Sequence, residues 1–253
     1  MTTLELVWTG PDLLAVHKPP GLSCFPLHAD PDADCLLHRL HAQFPGQERS
    51  DWPLGFDGGI AHRLDVSTSG QLLVARSLDA LAALRKRFSS GRLRKEYRFL
   101  SLKEVPWDHH VVKSPIAHDR RRKGRVVVQR GRNTPHRGRW RPAETELTRL
   151  APVDGGLWMW QAVMSTGVMH QIRVHAAFAG LALVGDRIYG GGSWSLPRPE
   201  RVAFALHHCG LSGPDLNPTP VQAPGWWPPL VGPVTPRPEP DGPTPARTAR
   251  RRG

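Results

Sequence analysis

Short apolar runs separated by turn residues recur along the chain, and this pattern predicts a strand-rich fold. Turn-forming residues 9–12 join two apolar runs near the start, which is typical of a β-hairpin. The Asp-Gly-Gly turn at residues 154–156 joins two longer runs in the same way. The predicted strands are residues 4–8, 13–17, 71–75, 94–102, 144–150 and 157–164.

Three other segments have apolar residues at helical spacing, at residues 35–44, 78–90 and 170–179. Asp34 and Ser77 are candidate N-caps of the first two, and Gly91 ends the second. The predicted inward positions are Leu36, Leu37, Leu40 and Phe44, then Leu81, Leu84 and Phe88, and finally Val174, Ala177 and Phe178 facing the sheet.

A strongly basic segment follows the middle of the chain. Between Arg120 and Arg141 there are ten arginine or lysine residues and no acid. The valine run at residues 126–128 is strand-like and residues 130–133 are turn-like, so we predict a β-hairpin with basic arms. Such a strand pair can follow a phosphate backbone, which makes Arg120, Arg121, Arg122 and Lys123 candidate phosphate-binding residues. A flexible, solvated loop is an equally good interpretation.

The composition of the whole chain is strongly basic, as this segment is. The chain has 253 residues and a net charge of +12, with an isoelectric point near 10.7. This size suits one large domain or two small ones. A basic excess of this size indicates a polyanionic partner, and nucleic acid is favoured because no apolar run approaches the ~20 residues of a membrane-spanning helix. A GC-rich genome would also raise the arginine content, so charge alone does not identify the partner.

Cysteine and histidine usage indicates a reducing compartment and no metal. The three cysteines are too few and too scattered for a disulfide framework, and the N-terminus shows no secretory signal, so we expect a cytoplasmic protein. His38 and His41 lie three residues apart, but no Cys-x-x-Cys or His-Glu-x-x-His element completes a zinc site. We also find no glycine-rich loop of the nucleotide-binding type after a strand.

Unusual chemistry is concentrated in residues 62–70, His-Arg-Leu-Asp-Val-Ser-Thr-Ser-Gly. Asp65 lies beside Arg63 and before three hydroxyl residues, on a loop that enters the predicted strand at residues 71–75. Loops held by such scaffolds commonly carry reactive side chains. The alternative is an Asx turn, in which Asp65 accepts backbone bonds from Ser67 and Thr68 and Gly70 supplies a positive φ.

This stretch resembles the signature loop of the RluA family of RNA pseudouridine synthases, His-Arg-Leu-Asp-x-x-Thr-Ser-Gly. Further stretches resemble the family's other motifs in order and spacing. Residues 17–22 are similar to the family's Asp-Lys-Pro-x-Gly segment, with His17 replacing the acid. Lys95-Glu96-Tyr97 is similar to its Lys-x-Tyr. Residues 170–175 are similar to its third motif, together with Gly180, Gly185-Asp186 and Tyr189-Gly190.

The sequence departs from the family pattern before His170 and near its end. The family usually has Thr-Gly-Arg before the histidine, whereas this chain has Val168 and Met169 after Thr166-Gly167. The missing arginine removes one phosphate contact. The family's Leu-His-Ala is here Leu206-His207-His208, and we assign no function to that change.

The resemblance covers about residues 5–213 and implies an α+β pseudouridine synthase fold, with a mixed, mainly antiparallel sheet, flanking helices and a central cleft. We expect residues 1–230 to form the catalytic domain, without the S4 RNA-binding domain of many relatives because the first strand begins by Leu4. Residues 231–253 are rich in proline and arginine, and we predict that they are disordered. We expect a monomer.

The resemblance implies an isomerase that converts specific uridines in ribosomal or transfer RNA to pseudouridine. The reaction breaks the C1′–N1 bond, turns the uracil and rejoins it through C5, so it requires no metal, nucleotide or redox cofactor. Asp65 is then the catalytic carboxylate, Arg173 keeps it ionised, Tyr97 stacks on the uracil, and Arg63 fills the position of the flipped-out uridine. The basic residues 120–123 become candidate RNA-binding residues.

Two other functions compete with this one. A catalytically inactive RNA-binding or ribosome-associated protein with the same fold explains the charge equally well, but it does not explain why Asp65, Tyr97 and Arg173 are all present. A carboxylate-dependent glycoside hydrolase would need a second acid, and the motif has none near Asp65.

Overall fold

A mixed eight-stranded sheet forms the centre of the molecule in the computed structural model, which describes residues 2–193 and 197–231. A separate three-stranded antiparallel sheet packs against the third helix. The strands are β1 Glu5–Thr9, β2 Leu13–Lys18, β3 Ser69–Ala75, β4 Arg94–Ser101, β5 His109–Val112, β6 Ile116–Asp119, β7 Val126–Val128, β8 His136–Arg141, β9 Thr145–Val153, β10 Leu157–Met164 and β11 Leu206–Ser212; the α-helices are α1 Leu36–Gln43, α2 Leu78–Ser89 and α3 Gln171–Phe178.

The strand order of the large sheet is β1-β2-β3-β11-β4-β10-β9-β5. All neighbours are antiparallel except β3 and β11, which are parallel. Strand β11 was not predicted from the sequence, and it joins the two halves of the sheet. His208 on β11 is paired with Gly70 on one side and with Tyr97 on the other. The end of the Asp65 loop and the Lys95-Glu96-Tyr97 motif are therefore brought to adjacent positions.

Both faces of the sheet are covered, so its central strands β3 and β11 are buried along almost their whole length. Alternate residues of a strand point to opposite faces. On one face, Val16 and Leu72 pack with α1 and α3 in the largest core cluster. On the other face, Ala15 and Leu73 pack with Leu81 of α2 in a second cluster.

The predicted strands and helices are confirmed within a few residues at each end, but one predicted cap is wrong. The Ser77 hydroxyl accepts a hydrogen bond from Ala80 N at 3.1 Å, as expected for the N-cap of α2. The N-cap of α1 is Cys35, without a side-chain bond. The Asp34 carboxylate instead forms a paired contact with the Arg39 guanidinium.

The predicted basic hairpin is also wrong in its pairing. Strands β7 and β8 do not pair with each other; each pairs with β6, which lies between them. The sequence pattern identified the valine run as a strand but carried no information about its partner. Ile116 and Ala117 of β6 are buried, and they supply the edge that the valine run needs.

The inward face of α3 differs from the predicted one. Ile172 and Ala176 are the residues that join the main core, whereas Val174 packs with the three-stranded sheet. Phe178, predicted to face the large sheet, is 41% exposed. The helix lies between two sheets, so a single apolar face was the wrong expectation.

The segment after β11 packs on the domain as far as it is described. Trp227 is buried against Leu100 and Leu157, and Val231 N donates to Pro152 O at 3.0 Å. The predicted disordered tail begins at Val231, and residues 232–253 of it lie outside the described residues. Within the described ranges, no helix is long and apolar enough to cross a membrane.

Candidate active site

A cleft of about 1700 Å³ opens where the Asp65 loop, the start of β4 and the beginning of α3 meet. Four residues were predicted from the sequence to take part in the reaction, and all of them line this cleft: Arg63, Asp65, Tyr97 and Arg173. Lys95 of the Lys-x-Tyr motif lines it as well. The fold thus collects residues that are more than one hundred positions apart in the chain.

The Asp65 loop is held rigidly at several points. Thr68 N donates to the backbone oxygen of Asp65 at 3.0 Å, so the turn is closed by the main chain and the carboxylate is left for other partners. The Ser67 hydroxyl accepts from Ala203 N at 2.9 Å. Gly70 has φ +118°, and a Cβ there would lie 2.1 Å from His208 O on the parallel strand. Gly70 is therefore required by both its conformation and the close approach of β11.

A buried lysine connects this loop to the preceding Lys-Pro-Pro-Gly segment. Lys18 is fully buried, and its ammonium donates to Leu22 O at 2.7 Å, to Pro19 O at 2.9 Å and to Val66 O at 3.3 Å. Burial lowers the pKa of Lys18 to about 8. The three carbonyl oxygens use all three donors of the ammonium group, so Lys18 fixes the position of Val66 next to Asp65.

Arg173 lies between two carboxylates. Its Nη1 donates to Asp65 Oδ2 at 3.1 Å, while Nε and Nη2 donate to the two oxygens of Asp186 at 2.6 and 3.0 Å. Arg173 is 4% exposed and Asp186 is 1% exposed, whereas about a third of the Asp65 side chain is accessible. Asp186 therefore holds the guanidinium in place, and the guanidinium presents one donor to the accessible carboxylate of Asp65.

A histidine and a tyrosine complete the side of the site next to Asp65. The Tyr189 hydroxyl accepts from Val126 N at 3.1 Å and lies 3.0 Å from His170 Nδ1. Nε2 of the same histidine ring lies 3.8 Å from Asp65 Oδ2. Burial lowers the pKa of His170, so the ring is neutral near pH 7.

Tyr97 forms the wall opposite, on the rigid backbone of β4. Its ring is 5% exposed and lies 4.4 Å from the ring of His208, centre to centre. Burial, together with the negative charge of Asp65, raises the pKa of Tyr97 above its usual range. Lys95 on the same face donates to Thr166 O at 2.8 Å, and burial lowers its pKa to about 8. Tyr97 thus presents a neutral phenol to the cleft at neutral pH.

The predicted RNA-contacting residues lie in two different places. Arg63 is exposed at the cleft, with its guanidinium carbon 5.8 Å from the ring centre of Phe25. Arg120, Arg121, Arg122 and Lys123 are exposed in the β6–β7 connection and are not among the described residues that line the Asp65 cleft. The cleft of Asp65 therefore includes Arg63 but not the basic residues 120–123.

Three residues with structural roles at this site, Asp186, Lys18 and Tyr189, were not predicted from the sequence. All three lie in stretches that resemble family motifs, which was the one available signal. Asp186 contacts Arg173, 13 positions away; Tyr189 contacts Val126, 63 positions away; and one bond of Lys18 reaches Val66, 48 positions away. Local pattern could not reveal these contacts. Among the described residues, no group of three or more histidine, cysteine or acidic side chains is arranged to hold a metal ion.

The chain is similar to known proteins of one family. A family model described as RNA pseudouridylate synthase matches residues 12–178. Ribosomal large subunit pseudouridine synthase D of Yersinia pestis is 30% identical over 200 residues, covering 79% of this chain and 55% of that protein. Dual-specificity RNA pseudouridine synthase RluA of Vibrio vulnificus is 28% identical over 200 residues, covering 74% of this chain and 70% of that protein. The solved structure of Human RNA Pseudouridylate Synthase Domain Containing 1 matches with a TM-score of 0.68 at 26% identity, covering 88% of this chain and 83% of that one.

The strand arrangement and the cleft define a domain with the α+β pseudouridine synthase fold, which confirms the predicted fold class. The chain belongs to the RNA pseudouridylate synthase family, in its RluA type, as its motifs had indicated. It spans about half of the length of several curated relatives that it matches, 55% in the case of the Yersinia pestis protein.

Proposed function

We propose that this protein is an RNA pseudouridine synthase that isomerises specific uridines in ribosomal or transfer RNA. The observation that carries the proposal is the bond from Arg173 to the accessible carboxylate of Asp65, with Asp186 holding the arginine. The named activities of the relatives, on ribosomal large subunit RNA and on RNA more generally, support the substrate class.

Asp65 is the catalytic carboxylate in this proposal. The C1′–N1 bond of uridine breaks, the uracil turns, and a C1′–C5 bond forms; the hydrogen at C5 leaves as a proton and one from solvent replaces it on nitrogen. A carboxylate next to C1′ can act as the nucleophile or as the acid/base group, and both roles are compatible with an Asp65 side chain that remains partly accessible.

Arg173 and Tyr97 bind the uridine around that carboxylate. Arg173 donates a hydrogen bond to Asp65 at 3.1 Å and places a fixed positive charge beside the carboxylate. Tyr97 supplies an aromatic face on which uracil can stack while it turns, an interaction worth ~1–3 kcal/mol. Because its pKa is raised, Tyr97 acts through its ring, and removal of the C5 proton by its phenolate is disfavoured.

Arg63 is proposed to fill the stack when the uridine is flipped out. A uridine inside a helix hides C1′ and C5, so the enzyme must extrude it. Arg63 is exposed, lies two residues before Asp65 and borders the cleft, which is the position that such a side chain needs.

Neutralising Arg120, Arg121, Arg122 and Lys123 together by glutamine is expected to weaken RNA binding and to flatten its salt dependence. Removal of one phosphate contact lowers the slope of log K against log salt by up to about one unit. The measurement is affinity for a structured RNA between about 50 and 200 mM salt. A matched control replaces the exposed Arg76, near the β1–β2 turn, which should leave the slope unchanged. An unchanged slope in the fourfold variant would mean that this run is only a solvated loop.

The proposal extends to the organisation and setting of the protein. Residues through 230 form one catalytic domain, the protein acts as a monomer, and it acts in the cytoplasm without a cofactor. Burial of all three cysteines as free thiols, among the described residues, supports a reducing compartment. An inactive RNA-binding protein is disfavoured because it would gain nothing from the Asp65–Arg173–Asp186 arrangement.

The experiment that tests the function follows the hydrogen at C5. RNA with tritium at C5 of uridine should lose it to water as pseudouridine forms. A protein that only binds RNA would release none.

A further inference from the structure

A second cleft, of about 570 Å³, lies between the three-stranded sheet and the C-terminal half of α3, and we call it the α3 cleft. Its rim carries arginines and its floor is apolar. The arginines are Arg121, Arg122, Arg125 and Arg130, and the floor includes Val126, Val128 and Val174.

The charge of this cleft is strongly positive. Among the described residues that line it, Asp119 is the only acid, and its carboxylate is already used. Asp119 Oδ1 accepts from the backbone N–H groups of Arg121 and Arg122 at 2.8 and 3.3 Å, and Oδ2 lies 3.6 Å from Arg125 Nε. The Arg121 and Arg122 side chains therefore project from a fixed turn, and their charges remain available for an anionic partner.

An exposed aromatic ring stands at the edge of the same cleft. Phe178 is 41% exposed at the end of α3, and the guanidinium carbon of Arg130 lies 5.7 Å from its ring centre. An aromatic face flanked by guanidinium groups is the arrangement on which unpaired bases stack while phosphates pair with the arginines. An acidic peptide would use the arginines but would gain little from the ring.

Tyr189, which lines the α3 cleft, also contacts Arg173 and His170 of the Asp65 cleft. The ring centre of Tyr189 lies 5.7 Å from the guanidinium carbon of Arg125 and 5.2 Å from that of Arg173. Its hydroxyl accepts from Val126 on one side and contacts His170 on the other. The Tyr189 side chain therefore links the two clefts.

We propose that the α3 cleft binds one unpaired nucleotide of the same RNA whose uridine enters the Asp65 cleft. The base stacks on Phe178, and the flanking phosphates pair with Arg121, Arg122 and Arg130. This inference rests on the proposed function only in taking RNA as the partner. It adds a base-binding site to what would otherwise be a purely electrostatic surface, and it selects uridines that have an unpaired neighbour.

The test compares Phe178→Ala with the wild-type protein on two probes. One probe is a 12-nucleotide single-stranded RNA of mixed sequence, and the other has the same length and charge but carries abasic spacers in place of its internal nucleotides. Wild-type protein should prefer the base-bearing probe, and Phe178→Ala should reduce that preference by roughly 5- to 150-fold, the range for one stacked base. The salt dependence of RNA binding should be the same for Phe178→Ala as for the wild-type protein, because no charge is removed.

Two further variants make the result specific to the ring. Phe178→Trp keeps an aromatic face and should keep the preference. Leu6→Ala removes an apolar side chain of similar exposure, 43%, on strand β1 and should have no effect on either probe. Since Phe178 is partly exposed at a helix end, its replacement should leave the unfolding temperature nearly unchanged, which thermal unfolding checks.

An equal preference for bases in wild-type protein and in Phe178→Ala would overturn the proposal. So would an equal loss of affinity for both probes, since stacking would then not be involved. The proposal would also be overturned if polyglutamate of equal charge competed as strongly as the base-bearing RNA. The cleft would then be a general anion site. Tritium release by the wild-type protein is measured separately. If tritium is released but Phe178→Ala has no effect on base preference, the proposed function stands and this inference fails. If Phe178→Ala lowers the base preference but no tritium is released, this inference stands and the proposed function fails.

Discussion

Asp65→Asn is expected to reduce pseudouridine formation by at least about 10⁴-fold, because asparagine can neither attack C1′ nor exchange a proton there. RNA affinity should stay within about threefold, since one carboxylate contributes little to the binding of a polyanion. The fold should survive, because Arg173 keeps both of its bonds to Asp186. The measurement is single-turnover formation of pseudouridine, with binding and thermal unfolding measured on the same preparation.

The matched control for this variant is Asp12→Asn. Asp12 is an exposed residue in the β1–β2 turn, a position at which asparagine is readily accepted. Its activity should equal that of the wild-type protein. Substantial turnover by purified Asp65→Asn would refute the assignment of Asp65 as the catalytic group.

Arg173→Lys should lower turnover by about 100-fold, the second-largest effect that we expect. The planar guanidinium bonds both oxygens of Asp186 and still presents a donor to Asp65, and a single ammonium group cannot reproduce that fork. The charge is retained but misplaced, and a misplacement of about 1 Å can cost about this much in rate. The measurement is the single-turnover rate at saturating RNA, together with the unfolding temperature.

Arg94→Lys is the control for Arg173→Lys, because it makes the same substitution in an arginine–carboxylate pair outside the Asp65 cleft. Arg94 also bonds both oxygens of a carboxylate, Glu146, at 3.1 and 2.9 Å, but its side chain is half exposed. Surface pairs of this kind contribute little, so turnover should change by less than about twofold. If the two variants had equal rates, Arg173 would not have the role proposed for it.

Much of the local structure could be predicted from the sequence because its causes are local. The β1–β2 hairpin follows from two apolar runs around a Gly-Pro-Asp turn, and α2 follows from its Ser77 cap and helical periodicity. The Asp65 loop was recognised as chemically unusual, and the Asx-turn alternative for this loop included the positive φ that Gly70 has. These features depend on residues that are close together in the chain.

The features that could not be predicted from the sequence depend on pairing between residues that are distant in the chain. Strand β6 separates β7 from β8, and β11 joins β3 to β4; apolar alternation identifies a strand but not its neighbours. The bonds from Asp186 to Arg173 likewise appear only when the loop after α3 folds back on the helix. Phe178 was placed inside because periodicity gives a helix one apolar face, whereas α3 contacts two sheets and leaves this ring at the edge of a second cleft.

Tritium release from C5-labelled uridine in RNA tests the central claim most directly. The substrates are total ribosomal and transfer RNA from cells that lack the gene, labelled in their uridines. Wild-type protein should release one tritium for each pseudouridine formed, without added metal or nucleotide and in the presence of chelator. Free uridine should release none, because it lacks the flanking phosphates and stacked neighbours whose binding energy drives the flip. If no RNA released tritium with Asp65, Tyr97 and Arg173 intact, the account would be contradicted, and the protein would be an RNA-binding member of the family without this activity.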